Sequence, residues 1–311
     1  ATATRSGRQT RQSADDMKLD ELVVGAIDLH CHVYPEMTLE HESRQDDIEL
    51  IDGALRARMG GVLLKSHFWP TVARVYYLKK RFPEIQIFSS ITLNRLAGGV
   101  DPLPVESAAL QGASAVFFPT WQAANDLERV GFSRLVRERL PRAASDRRPG
   151  LTIVENGRLT TEASEVLDVA KSFNMLVCTG HISPKESLTL IDAARQRGLQ
   201  VLFSHPSAPS VGASLDEMRQ AAEMGAYVEF TTLYTLSLRH HLPARESVKV
   251  IQSIGAEHCV LTTDHFNAWV PPMPEMMRMG IGQLAECDLS SADLRRMTVD
   301  NPRRLLGLDK T

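Results

Sequence analysis

The stretch LVVGAIDLHCH, residues 22–32, decides the fold because it joins an almost continuously apolar run to two histidines. Parallel strands that are covered on both faces have this composition, whereas strands with one wet face alternate. Seven more runs of the same kind follow along the chain, at residues 61–65, 85–91, 113–118, 175–179, 200–204, 226–230 and 259–263. With residues 22–29 as the first, the sequence predicts eight buried parallel strands.

Amphipathic segments separate these runs and carry helix signals. Ser183-Pro184-Lys185-Glu186, for example, is a capping box with proline at the first helical position. Eight strand–helix units without an internal repeat predict an α/β protein, a single (β/α)8 barrel of the TIM type over residues 20–311. A doubly wound open sheet is the alternative, but no glycine-rich phosphate-binding motif follows the first run. Residues 151–159 contain Asn156-Gly157 and are predicted to form a hairpin outside the barrel.

The composition is that of a globular protein, with 311 residues, 43% apolar and 23% charged, and a net charge of −3. That charge argues against nucleic acid as a main partner, and no run approaches the roughly 18 apolar residues that a membrane span needs. Cys31, Cys178, Cys259 and Cys287 lack paired spacing, which predicts reduced thiols and a cytoplasmic location. Residues 1–19 are predicted to be a disordered N-terminal tail, with a partner-binding arm as the alternative.

Histidines and one aspartate follow the predicted strands at their carboxyl ends. They are His30 and His32 after the first strand, His67 after the second, His181 after the fifth, His205 after the sixth, and Asp264-His265 after the eighth. These strand ends meet at the face of a (β/α)8 barrel where active sites lie. Several imidazoles with one carboxylate are a ligand set that suits zinc. The sequence therefore predicts a metal centre, although any one of these histidines alone is more often a hydrogen-bonded core residue.

The same motifs resemble those of the metal-dependent amidohydrolase superfamily. Asp28-Leu29-His30-Cys31-His32 is similar to its first-strand HxH motif, and Thr262-Thr263-Asp264-His265 to its eighth-strand aspartate. Thr179-Gly180-His181 and Phe203-Ser204-His205-Pro206 resemble its fifth- and sixth-strand histidines. The likeness covers nearly the whole chain from Leu22 onward. Leu64-Lys65-Ser66-His67 further resembles a branch of unknown function, so the resemblance implies no particular substrate.

The resemblance implies an enzyme that uses metal-activated water to cleave an amide, cyclic amide, ester or lactone bond of a small molecule. It implies that His30, His32 and Asp264 hold one metal with help from His181. His205 is then a ligand of a second metal or a base, and Asp264 accepts a proton from the attacking water. Zinc is the expected ion, one or two per chain, with manganese or another divalent metal as a substitute. A homo-oligomer, dimeric or larger, is also expected.

One departure from the superfamily concerns the lysine that bridges two metals. Binuclear members commonly take a carboxylated lysine from the fourth strand, but residues 115–120 contain neither Lys nor Glu. Lys65 ends the second strand instead, and three roles stay open for it: a carboxylated metal ligand, an ammonium that attracts a substrate carboxylate or oxyanion, or a structural lysine. The alternative functions are a metal-dependent decarboxylase or hydratase of a small carboxylated substrate, and a non-catalytic binding protein.

Further residues near the strand ends are candidates for binding the substrate: Lys65, His67, His265, Trp69, Asn94 and Trp121. Tryptophans at this face favour an apolar or ring-shaped substrate, although packing of the walls explains them equally well. Glu229 on the seventh strand either faces the pocket or pairs with an arginine outside it. Residues 122–148 are longer than a simple strand–helix connection, which predicts a lid or an extra helix against a neighbouring subunit.

Overall fold

The computed structural model describes residues 19–236 and 242–309, and it confirms the (β/α)8 barrel. Eight parallel strands lie side by side in chain order: Ile27–His32, Gly61–Lys65, Gln86–Thr92, Ala113–Phe117, Leu176–Cys178, Val201–Phe203, Tyr227–Thr231 and Cys259–Thr262. The first and eighth strands meet where the amide of His32 donates to the carbonyl oxygen of His265 at 3.0 Å. The tail predicted over residues 1–19 lies outside the described residues, apart from Leu19.

Helices connect the strands and pack on the outside of the barrel. The α-helices are Leu19–Val23, Asp47–Arg56, Val72–Arg81, Pro102–Leu110, Ala124–Arg129, Phe132–Arg139, Pro141–Ser145, Thr161–Ser172, Pro184–Gln196, Leu215–Glu223, Thr232–Leu236, Ala244–Ile254, Met273–Ala285, Ser291–Arg295 and Asn301–Leu305. Short 3-10 helices span Arg95–Ala97 and Ala256–His258, and a π-helical turn spans Arg296–Asp300. In the part of the chain that the structure describes, no helix has the length and apolarity needed to cross a membrane.

The first strand begins and ends later than the sequence predicts, since it spans Ile27–His32 instead of residues 22–29. Leu19–Val23 form a short helix, Gly25 turns the chain with a φ of 80°, and the strand starts only at Ile27. The prediction of a strand from residue 22 is therefore wrong at its start, because an apolar run does not distinguish a buried helix end from a buried strand. The other seven strands lie within one residue of their predicted bounds at either end.

A β-bulge in the first strand sets the direction of its histidines. The pairing with the second strand shifts between Asp28 and Cys31, so that Leu29 and His30 together oppose a single residue. Leu29 packs in the apolar cluster inside the barrel, and the ring of His30 lies 5.6 Å from that of Phe117 in the same cluster. Strict alternation would send Leu29 and His30 to opposite faces. The bulge lets both side chains point into the barrel, where Leu29 packs in the core and His30 belongs to the candidate site.

Two of the irregular segments have the predicted character. Val154–Glu155 and Arg158–Leu159 form the hairpin outside the barrel, and Asn156 and Gly157 both have positive φ, as the tight turn requires. The long segment after the fourth strand folds into the three helices Ala124–Arg129, Phe132–Arg139 and Pro141–Ser145. We call residues 122–148 the cap segment, because Phe132 and Leu135 lie over the cavity described below.

Gly180 positions His181 through a backbone conformation that other residues resist. Its φ is 66°, and an added Cβ would clash with the carbonyl oxygens of Phe118 and Pro119. We expect Gly180→Ala to lower the free energy of unfolding by about 2–4 kcal/mol, because left-handed strain and a backbone clash add. Gly198→Ala is the matched control, since its φ is 76° with no atom within 4 Å of the added Cβ.

We expect the Gly198→Ala control to cost only about 1 kcal/mol, from the backbone conformation alone. Urea unfolding of the two variants measures the difference. Equal losses would contradict the argument from the clash.

Candidate active site

Seven of the predicted side chains meet at the carboxyl ends of the strands. They are His30, His32, Lys65, His67, His181, His205 and Asp264, and all are buried. All except His30 line a cavity of about 170 Å³. Mostly apolar side chains from three connections that follow strands complete its walls: Phe132, Leu135, Leu233, Tyr234 and Phe266. The site is therefore a small, polar floor under an apolar mouth.

Asp264 is the point on which the first-strand histidines converge. Its Oδ1 lies 3.3 Å from His30 Nε2 and 3.2 Å from His32 Nε2. Two ligands held about 2.1 Å from one tetrahedral zinc ion lie about 3.4 Å apart, so both spacings match an edge of such a site. Burial alone would raise the pKa of Asp264, but His30 and the other imidazoles hold it well below its usual range. The donors and their spacing fit a divalent metal.

Glu229 points into the barrel and orients His30, which resolves the direction that the sequence left open. Its Oε1 accepts hydrogen bonds from His30 Nδ1 at 2.9 Å and Thr262 Oγ1 at 2.8 Å, and its Oε2 accepts from the His205 amide at 2.8 Å. A carboxylate on Nδ1 fixes the tautomer that leaves Nε2 free to bind a metal. Since both of its oxygens are engaged, Glu229 is a positioning residue for His30.

Asp126 connects His181 to the cap segment. Its Oδ2 accepts from His181 Nδ1 at 2.7 Å, and its carboxylate also accepts from the amides of Phe132 at 3.1 Å and Ser133 at 2.7 Å. One carboxylate therefore orients a site histidine and anchors the start of the helix that covers the cavity. The sequence analysis missed Asp126, because an acidic residue inside a long connection carries no strand-end signal.

Glu36 is a second acidic residue that the sequence analysis missed. It lies in the loop after the first strand, where its Oε1 accepts from the His67 amide and lies 3.8 Å from His32 Nδ1. Its Oε2 and His32 Nδ1 are buried without a hydrogen-bond partner among the described residues. Glu36 thus faces His32 from the side away from Asp264, as Glu229 faces His30.

Lys65 lies at the floor of the cavity. Its Nζ is 2.8 Å from His30 Nε2 and 4.8 Å from the centre of the Phe117 ring. The residue is fully buried, and burial lowers the pKa of its amine. Within the described residues no carboxylate oxygen lies within ion-pair distance of Nζ, although Asp264 and Glu229 are nearby charges. Lys65 therefore places an amine beside the candidate metal ligands.

His205 and Asp264 are both held in strained backbone conformations. Their φ values are 25° and 51°, in the left-handed region that residues other than glycine rarely adopt.

The Asp28 carboxylate supports the eighth-strand end by accepting hydrogen bonds from the amides of His30 at 3.0 Å and Thr263 at 3.2 Å. Burial raises the pKa of Asp28 to about 6, and burial lowers that of His205 to about 3.

The other predicted substrate-binding residues are distributed differently. His67 lines the cavity, and its ring stacks on that of Phe132 with the ring centres 4.2 Å apart. Its Nδ1 shares a hydrogen bond of 2.8 Å with Thr120 Oγ1. Asn94 lies behind it and donates to the His67 carbonyl at 2.9 Å. His265, Trp69 and Trp121 do not line this cavity: His265 and Trp121 are buried outside it, and Trp69 is 61% exposed.

The same fold occurs in solved structures of an amidohydrolase and a decarboxylase, and sequence comparison assigns the family. Residues 25–229 match the family of unknown function DUF6282, so the chain belongs to that family. No curated protein matches the sequence.

Solved structures resemble the chain over nearly its whole length. An amidohydrolase from Pseudomonas aeruginosa is 11% identical with a TM-score of 0.60, over 93% of this chain and 98% of that one. A probable 2-pyrone-4,6-dicarboxylic acid hydrolase from Acinetobacter baumannii is 13% identical with a TM-score of 0.58, over 91% and 100%. A 2,6-dihydroxybenzoate decarboxylase from Rhizobium is 11% identical with a TM-score of 0.54, over 92% and 99%. At these identities the likeness establishes the fold alone.

Proposed function

We propose that this chain is a metal-dependent hydrolase that cleaves an amide, cyclic amide, ester or lactone bond of a small molecule. The observation that carries the proposal is the convergence of His30 Nε2 and His32 Nε2 on Asp264 Oδ1, at 3.3 and 3.2 Å, on the floor of a cavity. A bound divalent metal supplies a Lewis acid and lowers the pKa of water to about 7. We propose zinc, with manganese or another divalent ion as a substitute.

Each residue of the site has a role in this proposal. His30, His32 and Asp264 hold the metal, and His181 completes the ligand set in the orientation that Asp126 gives it. Asp264 accepts the proton that the attacking water loses, and His205 acts beside it as a second base. Lys65 and His67 bind the substrate from the cavity floor and wall. The 170 Å³ cavity limits the reacting part of the substrate to a small group.

The proposal includes one metal per chain. On the fourth strand, Phe117 takes the inward-facing position and packs in the apolar cluster beside the His30 ring. This strand therefore offers no side chain that bridges two ions. Lys65 is assigned the role of an ammonium for a substrate carboxylate or oxyanion, because the residue lines the cavity and its Nζ has no ion-pair partner among the described residues.

The second candidate function is a metal-dependent decarboxylase or hydratase of a small carboxylated substrate. The position of Lys65 favours it, because an amine at the cavity floor suits a substrate that carries a carboxylate. The structural likeness to a 2,6-dihydroxybenzoate decarboxylase is compatible with this candidate. Release of carbon dioxide from ring carboxylates separates it from hydrolysis.

The test is the metal content of protein purified without added metal, measured by plasma mass spectrometry. We expect about one zinc per chain, and turnover within a panel of amides, lactones and ring carboxylates. About two metals would contradict the mononuclear site and make Lys65 the leading bridge. No metal, and none taken up on titration, would overturn the proposal.

Two further statements belong to the same proposal. We place the enzyme in the cytoplasm, in keeping with four unpaired cysteines, three of them buried. We also propose that it is a homodimer or larger assembly, which light scattering of the purified protein tests.

A further inference from the structure

A second cavity, of about 390 Å³, lies beside the cap segment and away from the candidate metal centre. Its apolar lining includes Trp121, Leu140, Pro141 and Ala143, and its charged lining consists of Arg95, Arg142, Asp146 and Arg148. It shares no lining residue with the metal-centre cavity. We call it the Trp121 groove.

The charges of the Trp121 groove are unbalanced. Arg148 pairs with Asp146, its Nη2 donating to one carboxylate oxygen at 2.7 Å and its Nε to the other at 2.9 Å. Arg95 donates to the Pro149 carbonyl at 2.6 Å, and within the described chain neither Arg95 nor Arg142 has a carboxylate partner. Two guanidinium groups thus remain to attract an anion.

Trp121 lines the groove, and within the described residues its indole N–H group has no hydrogen-bond acceptor. Trp121 is only 5% exposed, and its Nε1 is buried with no acceptor among the described residues. Buried indole N–H groups ordinarily have a hydrogen-bond acceptor, because leaving the donor unpaired costs free energy.

We propose that the Trp121 groove binds a small amphipathic anion, an apolar ring that carries a carboxylate. The apolar lining accommodates the ring, Arg95 and Arg142 attract the carboxylate, and the volume lies within the range of roughly 300–1,000 Å³ typical of small-molecule pockets. This site is distinct from the metal centre and does not depend on the proposed reaction.

The groove and the metal-centre cavity share an apolar support. Trp121 and Ala143, which line the groove, pack in one cluster with Val136, and Phe132 packs against that cluster. Phe132 in turn lines the metal-centre cavity. A ligand in the groove therefore contacts the cluster that holds the cap segment over the cavity.

Intrinsic fluorescence tests the site directly. The chain has three tryptophans, so replacing Trp69 and Trp269 by Phe leaves Trp121 as the only reporter. We expect titration with 4-phenylbutyrate to change its emission saturably, with a dissociation constant of about 1 mM. The uncharged 4-phenylbutyramide should bind at least about fivefold more weakly, because it lacks the charge that the arginines attract.

Variants locate the bound probe. We expect Arg142→Gln and Arg95→Gln each to weaken 4-phenylbutyrate about three- to tenfold. Arg137 is an exposed residue of the helix Phe132–Arg139 and lies outside the groove, so Arg137→Gln should leave the affinity unchanged. Circular dichroism checks that each variant is folded, and Arg142 is exposed enough that its replacement does not depend on core packing.

The proposal would be overturned by the absence of a saturable change of emission, by an unchanged affinity in Arg142→Gln, or by an equal loss in Arg137→Gln. Asp264→Asn separates the two cavities. Binding that survives this change supports the groove, whereas binding that disappears with it assigns the probe to the metal centre and contradicts the proposal.

Discussion

Replacing Asp264 by asparagine is expected to abolish retention of the metal and to lower turnover by about 1,000-fold, with the barrel still folded. Asp264 Oδ1 is the atom on which His30 and His32 converge. Asparagine keeps the shape of the side chain. It lacks the negative charge that the ion needs and the basic carboxylate that accepts a proton from water. Metal content after dialysis, and turnover of whichever panel compound the unchanged protein processes, measure the two effects.

Two control variants give this prediction a scale. Asp126→Asn removes a carboxylate that orients His181 and anchors the start of the helix Phe132–Arg139 but is not itself a metal ligand, so we expect metal affinity to fall about 10- to 100-fold and not to vanish. Asp52→Asn, on an exposed helix position, should change neither metal content nor turnover. Full metal occupancy in Asp264→Asn, with unchanged circular dichroism, would show that the assignment of the metal ligands is wrong.

Much of the barrel could be predicted because its strands are buried on both faces. Such strands are recognised in the sequence as short apolar runs. Seven of the eight predicted strands therefore have bounds within one residue of the observed ones. The site histidines could be predicted for a related reason. A residue that directly follows a barrel strand has its location fixed by topology, whatever the connections do. His181 and His205, 24 residues apart in the chain, have rings 5.1 Å apart for this reason.

Two of the acidic residues beside the site histidines could not be predicted, because loops have no period that fixes a side-chain direction. Glu229, which lies on a strand, was named from the sequence with its direction left open. Glu36 and Asp126 both come from irregular segments and reach their histidines through folded connections. The same absence of a period explains Trp69 and Trp121, which follow strands yet do not line the metal-centre cavity. The bulge at Leu29 and His30 is a further case, since alternation alone cannot place both inside.

Lys65 is the residue whose chemistry the sequence left most open. Its Nζ is 2.8 Å from His30 Nε2, the residue lines the cavity, and the fully buried side chain has no ion-pair partner within the described residues. A buried amine without such a partner costs folding free energy. Its presence is therefore better explained by a ligand that it binds than by a contribution to stability.

Lys65→Met is expected to separate the roles of the lysine. Methionine keeps the unbranched chain without the amine, so we expect metal-free protein to become more stable, by about 1–3 kcal/mol in urea unfolding. Metal content should stay at the wild-type level, since His30, His32 and Asp264 remain. We expect kcat/KM for a carboxylated substrate to fall about 100-fold, because the charge that its carboxylate meets is removed.

A metal-binding role of Lys65 predicts different results for its variants. If Lys65 carries a carboxyl group that binds a metal, Lys65→Met loses part of its metal, and Lys65→Ala regains metal and turnover when a short carboxylic acid is added. A carboxylated lysine requires an inward-facing side chain close to the ligands, which Lys65 provides. It also requires a second metal ion for the carboxyl group to bridge. The fourth strand offers no ligand for such an ion, because its inward-facing residue is the apolar Phe117. The two measurements together, metal per chain in Lys65→Met and acid rescue of Lys65→Ala, therefore decide between substrate binding and metal binding by this lysine.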